Sequence, residues 1–161
     1  MKILFVCTAN ICRSALAEVI MRKKLQEKGL TDIVVDSAGV HNYAGEPRDY
    51  MMCSYARKAG YDMGGESKYI SQKQADSADL IVCMEFFHVV EMQKRLPYIR
   101  WGRIKLFNEI CFAEQTDLMD PSGNTGYIYD ITLHHIEAGC GTLVGKLSKM
   151  LHDGDHFFML V

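Results

Sequence analysis

The chain has 161 residues, 48% of them hydrophobic, with 18 basic against 20 acidic side chains and a net charge of −2. That suits one domain spanning 1–161 with a sizeable core; the near-neutral balance gives no electrostatic reason to expect nucleic acid or an anionic membrane surface. No stretch approaches the roughly 20 apolar residues of a membrane span, and the six cysteines are scattered without an export signal, so reduced thiols and a cytoplasmic address are expected.

Residues 2–6, "KILFV", read as a buried strand, and 14–29, "SALAEVIMRKKLQEKG", as a helix stopped by Gly29. A second strand is expected at 33–35, halted by Asp36, Ser37 and Gly39, then a helix over 48–60. "DLIVCM", 79–84, is an unbroken apolar strand, followed by a helix from Glu85 to about Arg95; "RIKLF", 103–107, is a weaker fourth strand. Tyr129, Leu133, Ile136, Cys140, Leu143, Leu147 and Met150 repeat at helical spacing, with Gly139, Gly141 and Gly145 each costing up to about 1 kcal/mol in propensity. Strands alternating with helices predict a single α/β domain: a parallel sheet of about four strands with helices on both faces. Ligands bind such sheets at the carboxyl ends of the strands, where residues 7–13 fall.

"VCTANICRS", 6–14, leaves that first strand and enters the first helix. Such a loop presents backbone N–H groups in a concavity with the positive end of the helix dipole behind them, which is an anion site. Thr8, Ala9, Asn10, Ile11 and Cys12 form its body. A thiolate at Cys7 is stabilised there by the amides, the dipole and Arg13, and is a nucleophile. Arg13 offers a planar fork of donors to a tetrahedral oxyanion, Ser14 can bond the sulfur, and Asn10 is suited to bracing the loop. An isolated cysteine is more often a small buried hydrophobe; the combined pattern reverses that weighting.

This stretch resembles the C-x5-R-S phosphate loop of the low-molecular-weight protein tyrosine phosphatases, as do "DSAG" at 36–39 and Asp120-Pro121 at the corresponding distances. The resemblance runs end to end. It implies phosphotyrosine hydrolysis through a phosphocysteine at Cys7, with Arg13 clamping the phosphoryl group, Asp120 as general acid, Ser37 bracing the loop and Tyr43 walling the substrate ring. It also implies a disulfide between Cys7 and Cys12 that shelters the nucleophile from irreversible oxidation. No cofactor or metal is expected, free phosphate or vanadate should compete for the pocket, and the protein is expected to be a monomer.

The chain departs from the family pattern at three points. Ala9 replaces the usual Gly, a strained choice if that position needs positive φ. Ala15 replaces a Pro, and Ser122 and Gly123 stand where an aromatic usually follows Asp-Pro. Tyr127 and Tyr129 are candidate substitutes for that wall, with Tyr129 better suited to the core. Family members acting on phosphoarginine carry Thr where this chain has Ile11. Asp117 is a rival acid with nothing beside it to hold it. Two rival functions remain: a thiol-dependent arsenate reductase using Cys83 as relay, and a phosphotyrosine-binding module without turnover. The apolar tail 156–161 has no assigned role.

Overall fold

The computed structural model describes residues 1–154; the apolar tail lies outside them. Four parallel strands, β1 (Lys2–Cys7), β2 (Val34–Gly39), β3 (Leu80–Cys83) and β4 (Ile104–Leu106), form one sheet in the order β2-β1-β3-β4. The helices are α1 (Arg13–Glu27), α2 (Tyr50–Lys58), α3 (Gln72–Ser77), α4 (Phe86–Arg95), α5 (Phe107–Phe112) and α6 (Gly126–Asp153).

The period-two alternation of strand side chains divides the core into two layers. Ile3, Phe5 and Cys7 of β1 join Val35, Leu80 and Val82 under α1, α2, α5 and α6. Leu4 and Val6 face the other way, with Ala38, Ile81 and Cys83, under Ala75 of α3 and Met92 of α4. β1 is flanked on both sides, and the chain crosses over it between β2 and β3, so the crevice that takes ligands in such sheets opens at its carboxyl end.

Three sequence expectations need correction. β2 does not stop at Val35 but runs through Asp36, Ser37 and Ala38 to Gly39, in register with Leu4, Phe5, Val6 and Cys7. Its polar residues tolerate the strand because each has a tertiary partner: Asp36 bonds Lys68, and Ser37 bonds Glu18 and Asn10. The fourth strand ends at Leu106, and Phe107 begins α5, buried against α6. The helix expected over 48–60 is shorter: Asp49 caps it by accepting from the Met52 amide at 2.7 Å, and it ends at Lys58.

Two glycines are fixed by close approach. A Cβ on Gly39 would stand 2.7 Å from the Thr8 carbonyl oxygen and 2.9 Å from the Asn10 nitrogen, so the loop after β1 lies directly on this strand end. A Cβ on Gly139 would stand 2.5 Å from the Phe107 ring, which explains one helix-interior glycine; Gly145 meets nothing within 4 Å. Gly39→Ala should therefore lose about 1–3 kcal/mol of stability by overpacking, whereas Gly145→Ala should gain up to about 1 kcal/mol from helix propensity. Urea midpoints of the two variants test this, and equal midpoints would refute the argument.

Candidate active site

The loop 8–12 turns its carbonyls outward and its amides inward. The Thr8, Ala9, Asn10, Ile11 and Cys12 carbonyls accept, respectively, from the His41 amide, Ser67 Oγ, Arg48 Nη1, the Asp49 amide and the Leu16 amide. Among the described residues, the amides of Thr8, Ala9, Ile11 and Cys12 donate to nothing in the protein. The Asn10 amide points to Cys7 Sγ at 3.3 Å. The result is a ring of unpartnered donors at the amino end of the 15-residue helix α1.

The left-handed conformation that makes this turn falls on Asn10, with φ 57°, and not on Ala9. The strain anticipated for an alanine in place of glycine is therefore absent. Asparagine adopts this conformation more readily than most residues, and here its side chain is fully satisfied. Nδ2 donates to Ser14 Oγ at 2.9 Å and to Ser37 Oγ at 2.8 Å, and Oδ1 accepts from the Lys68 amide at 2.8 Å and Arg48 Nη1 at 3.0 Å. Ser37 passes its own hydrogen to the buried Glu18, which is ion-paired with Arg22 and Lys68.

Ser14 Oγ lies 3.0 Å from Cys7 Sγ. Having accepted from Asn10, it can give its hydrogen to the sulfur, an arrangement suited to a thiolate. Cys12, at the helix cap, has its thiol pushed well above the ordinary range by burial and by neighbouring Cys7, so it stays protonated. Both cysteines are free thiols.

Arg13 is almost wholly buried. Its Nη1 donates to Glu85 and, at 2.8 Å, to the Leu118 carbonyl, while Nη2 donates to Asp120 Oδ2 at 2.6 Å. No described acceptor takes its Nε–H, and Nη2 has a second hydrogen to give. Asp120 is held from two sides, Oδ1 accepting from the Ser122 amide at 3.0 Å. Its loop is stitched to the strand end by the Leu118 amide, which donates to the Met84 carbonyl.

The cleft has a volume of about 260 Å³. Cys7, Thr8 and Cys12 line it with Arg13, and Ile11, Tyr43, Asp120 and Ser122 form its walls. Tyr43 is half exposed at the edge of this cleft. Tyr129 is core, stacked on Tyr55 and bonded to Asp49, and Tyr127 lies outside the cleft lining. Asp117, contrary to expectation, is well held: Oδ1 accepts from the Phe86 amide at 2.7 Å, away from the cleft.

Sequence reasoning missed four participants: Glu85, His88, Arg48 and Lys68. Position alone could have flagged Glu85, since it follows the carboxyl end of the strand beside β1. Cys83, the proposed relay thiol, is buried in the opposite core layer from Cys7, and burial pushes its thiol far up. Among the described residues no three His, Cys, Asp or Glu gather as a metal site, and no helix is long and apolar enough to cross a membrane.

The family model for low molecular weight phosphotyrosine protein phosphatases matches residues 2–153. The chain belongs to that family. It is 34% identical to the protein-tyrosine-phosphatase Etp of Escherichia coli K12 over 120 residues, 74% of this chain and 76% of that one. With PtpA of Staphylococcus epidermidis it shares 30% identity over 148 residues, covering 90% and 92%. A protein tyrosine phosphatase from Entamoeba histolytica, solved with Hepes in its active site, superposes with a TM-score of 0.84 at 29% identity, covering 92% of this chain and 97% of that one. The arginine phosphatase YwlE, as a mutant with a phosphorylated active-site serine, superposes at 0.87 with 26% identity, again over 92% and 97%.

His88 yields a pH test. Burial, reinforced by Arg13, pushes its imidazole down to about 3. The unfolded ring, near 6.5, takes a proton that the folded ring refuses. The neutral ring's contribution is therefore complete above about pH 6.5 and is lost as pH falls toward 3, at up to about 1.4 kcal/mol per unit. His88→Asn should flatten the acid side of the stability curve, measured by urea unfolding between about pH 6 and pH 4. An unchanged slope would show that the ring already charges in the fold.

Proposed function

We propose that the protein hydrolyses phosphotyrosine in protein substrates through a phosphocysteine at Cys7. What carries the reading is the loop in which every carbonyl from Thr8 to Cys12 is bonded outward while the Asn10 amide points at Cys7 Sγ, the other loop amides are unpartnered and Arg13 lines the same cleft. A dianionic phosphoryl group fits that ring, its oxygens taking the loop amides and the free Nε–H and Nη2–H of Arg13. Cys7 Sγ then attacks phosphorus in line, the S–P bond forms, and the P–O bond to the tyrosyl oxygen breaks. Asp120, protonated, gives its proton to the departing phenolate. A water next attacks phosphorus and gives a proton to the Asp120 carboxylate; the S–P bond breaks, releasing phosphate and the thiolate, to which Ser14 donates.

The empty site adds a step. Asp120 is paired with Arg13, so an entering dianion takes over the guanidinium and frees the carboxyl to face the leaving group. Tyr43 walls one side of the substrate ring. Ser122, the residue after Pro121, lines the opposite rim without an aromatic surface, so ring recognition is weaker than a two-walled slot would give. The likeness to an arginine phosphatase favours a second reading, phosphoarginine hydrolysis. Against it, Ile11 presents an apolar side chain with no group to bond a guanidinium.

Phosphotyrosine, phosphoserine and phosphoarginine peptides incubated with wild type and Cys7→Ser decide between these. Hydrolysis of phosphotyrosine, abolished in Cys7→Ser and indifferent to chelators, is the expected result; preference for phosphoarginine would replace the substrate, and activity surviving Cys7→Ser would remove the mechanism. Asp120→Asn should slow kcat for aryl phosphates by about 100-fold or more, the usual scale of general-acid catalysis. The same variant should bind inorganic phosphate or vanadate more tightly, because Arg13 no longer holds a competing carboxylate. Weaker oxyanion inhibition would contradict the displacement of Asp120.

A further inference from the structure

Thr8 follows the reactive sulfur directly and lines the cleft, and its hydroxyl is tied on one side only. Behind it, His88 is wholly buried near the start of α4. The Glu85 amide points at His88 Nδ1, 3.0 Å away. An amide can only donate, so Nδ1 bears the lone pair and the neutral ring carries its proton on Nε2. Nε2 lies 2.9 Å from Thr8 Oγ1 and must donate to it. Polarity therefore runs one way, from the Glu85 amide through the imidazole to the threonine oxygen. Thr8 still has its own hydrogen to give, and no described residue accepts it.

The ring cannot easily turn to reverse this order. Phe87 packs edge-on against both His88 and His41, each at 5.7 Å, and the Phe86 amide is bonded to Asp117 at 2.7 Å, which anchors the start of the helix. Thr8 lines the cleft, where an oxyanion held by the loop amides would offer acceptors.

We propose that Thr8 donates its hydroxyl hydrogen to an oxygen of the bound phosphoester, and that His88 is the positioning residue that fixes the direction of this donation. The proposal rests on the phosphatase reading above and adds a side-chain donor to the loop amides. It also gives His88 a task without proton transfer.

Thr8→Val is nearly isosteric and removes the donor, while Thr8→Ser keeps it. Thr8→Val should lower kcat/KM for an aryl phosphate by about tenfold, the worth of one hydrogen bond to a charged group, and Thr8→Ser should recover most of that loss. Because Thr8→Val leaves the buried Nε2–H unpartnered, its thermal midpoint should fall. Thr8→Val/His88→Met removes that stranded donor, because methionine carries no donor and its thioether sulfur is a weak acceptor for the Glu85 amide; its midpoint should rise above that of Thr8→Val but its kcat/KM should not. A merely structural role would instead restore both together.

Inorganic phosphate binding, measured calorimetrically on each variant, locates the oxygen. Phosphate affinity falling in step with kcat/KM places the donor on a non-bridging oxygen. Unchanged affinity with reduced kcat places it on the bridging one. Thr8→Val with wild-type kcat/KM and phosphate affinity overturns the proposal, as does activity that returns with the thermal midpoint in the double variant. A wild type that binds phosphate but hydrolyses no phosphoester would instead sink the phosphatase reading, and the phosphate affinities of the variants would still judge Thr8.

Discussion

The site depends on one residue in an unfavourable conformation. Asn10 is the residue of the loop at positive φ; its own amide points at Cys7 Sγ, and the Ile11 and Cys12 amides that follow the reversal are left unpartnered. A left-handed backbone costs an L-residue on the order of 1–2 kcal/mol, and a buried amide side chain left unpaired would cost more. Both costs are offset together, because Nδ2 reaches Ser14 and Ser37 while Oδ1 receives Arg48 and the Lys68 amide. The partners come from α1, β2 and the segments around α2 and α3, so the loop keeps its shape only while the whole domain is folded.

The anion ring is thus an outgrowth of the hydrogen-bond economy of the fold. Carbonyls bonded outward are the structural side of the same geometry whose chemical side is amides left free inward. The two core layers add a separation by face: alternate residues of β1 and β3 send Cys7 and Cys83 to opposite sides of the sheet, so a thiol near in register is remote in chemistry. The Asp120 loop is attached to the same strand ends through Leu118, whose amide bonds Met84 and whose carbonyl bonds Arg13. Cys7, Arg13 and Asp120 are therefore positioned by one shared scaffold.

Much of this was legible in the chain. The 28-residue helix α6 announces itself by its apolar spacing, and the loop by residue types that few other chemistries would assemble before a helix. The six-residue helices α3 and α5 are too short to establish a period. Asp36 and Ser37 looked like turn residues because nothing local reveals Lys68 and Glu18 as their partners. Glu85 and His88 meet Arg13 and Thr8 across 72 and 80 residues, and Arg48 meets Asn10 across 38, separations at which neither propensity nor motif speaks. Ala9 misled for a different reason: the pattern shows which positions are small, not which one reverses the backbone.

The pairing of Arg13 with Asp120 and Glu85 means that the site waits with its cation already neutralised. A chloride or bicarbonate ion, singly charged, cannot compensate the guanidinium for a carboxylate it would have to displace. A phosphomonoester near neutral pH carries close to two charges and can. On the proposed reaction the ion pair would act as a charge threshold at the mouth of the cleft, passing over the small anions that crowd any cell in favour of the few groups of higher valence.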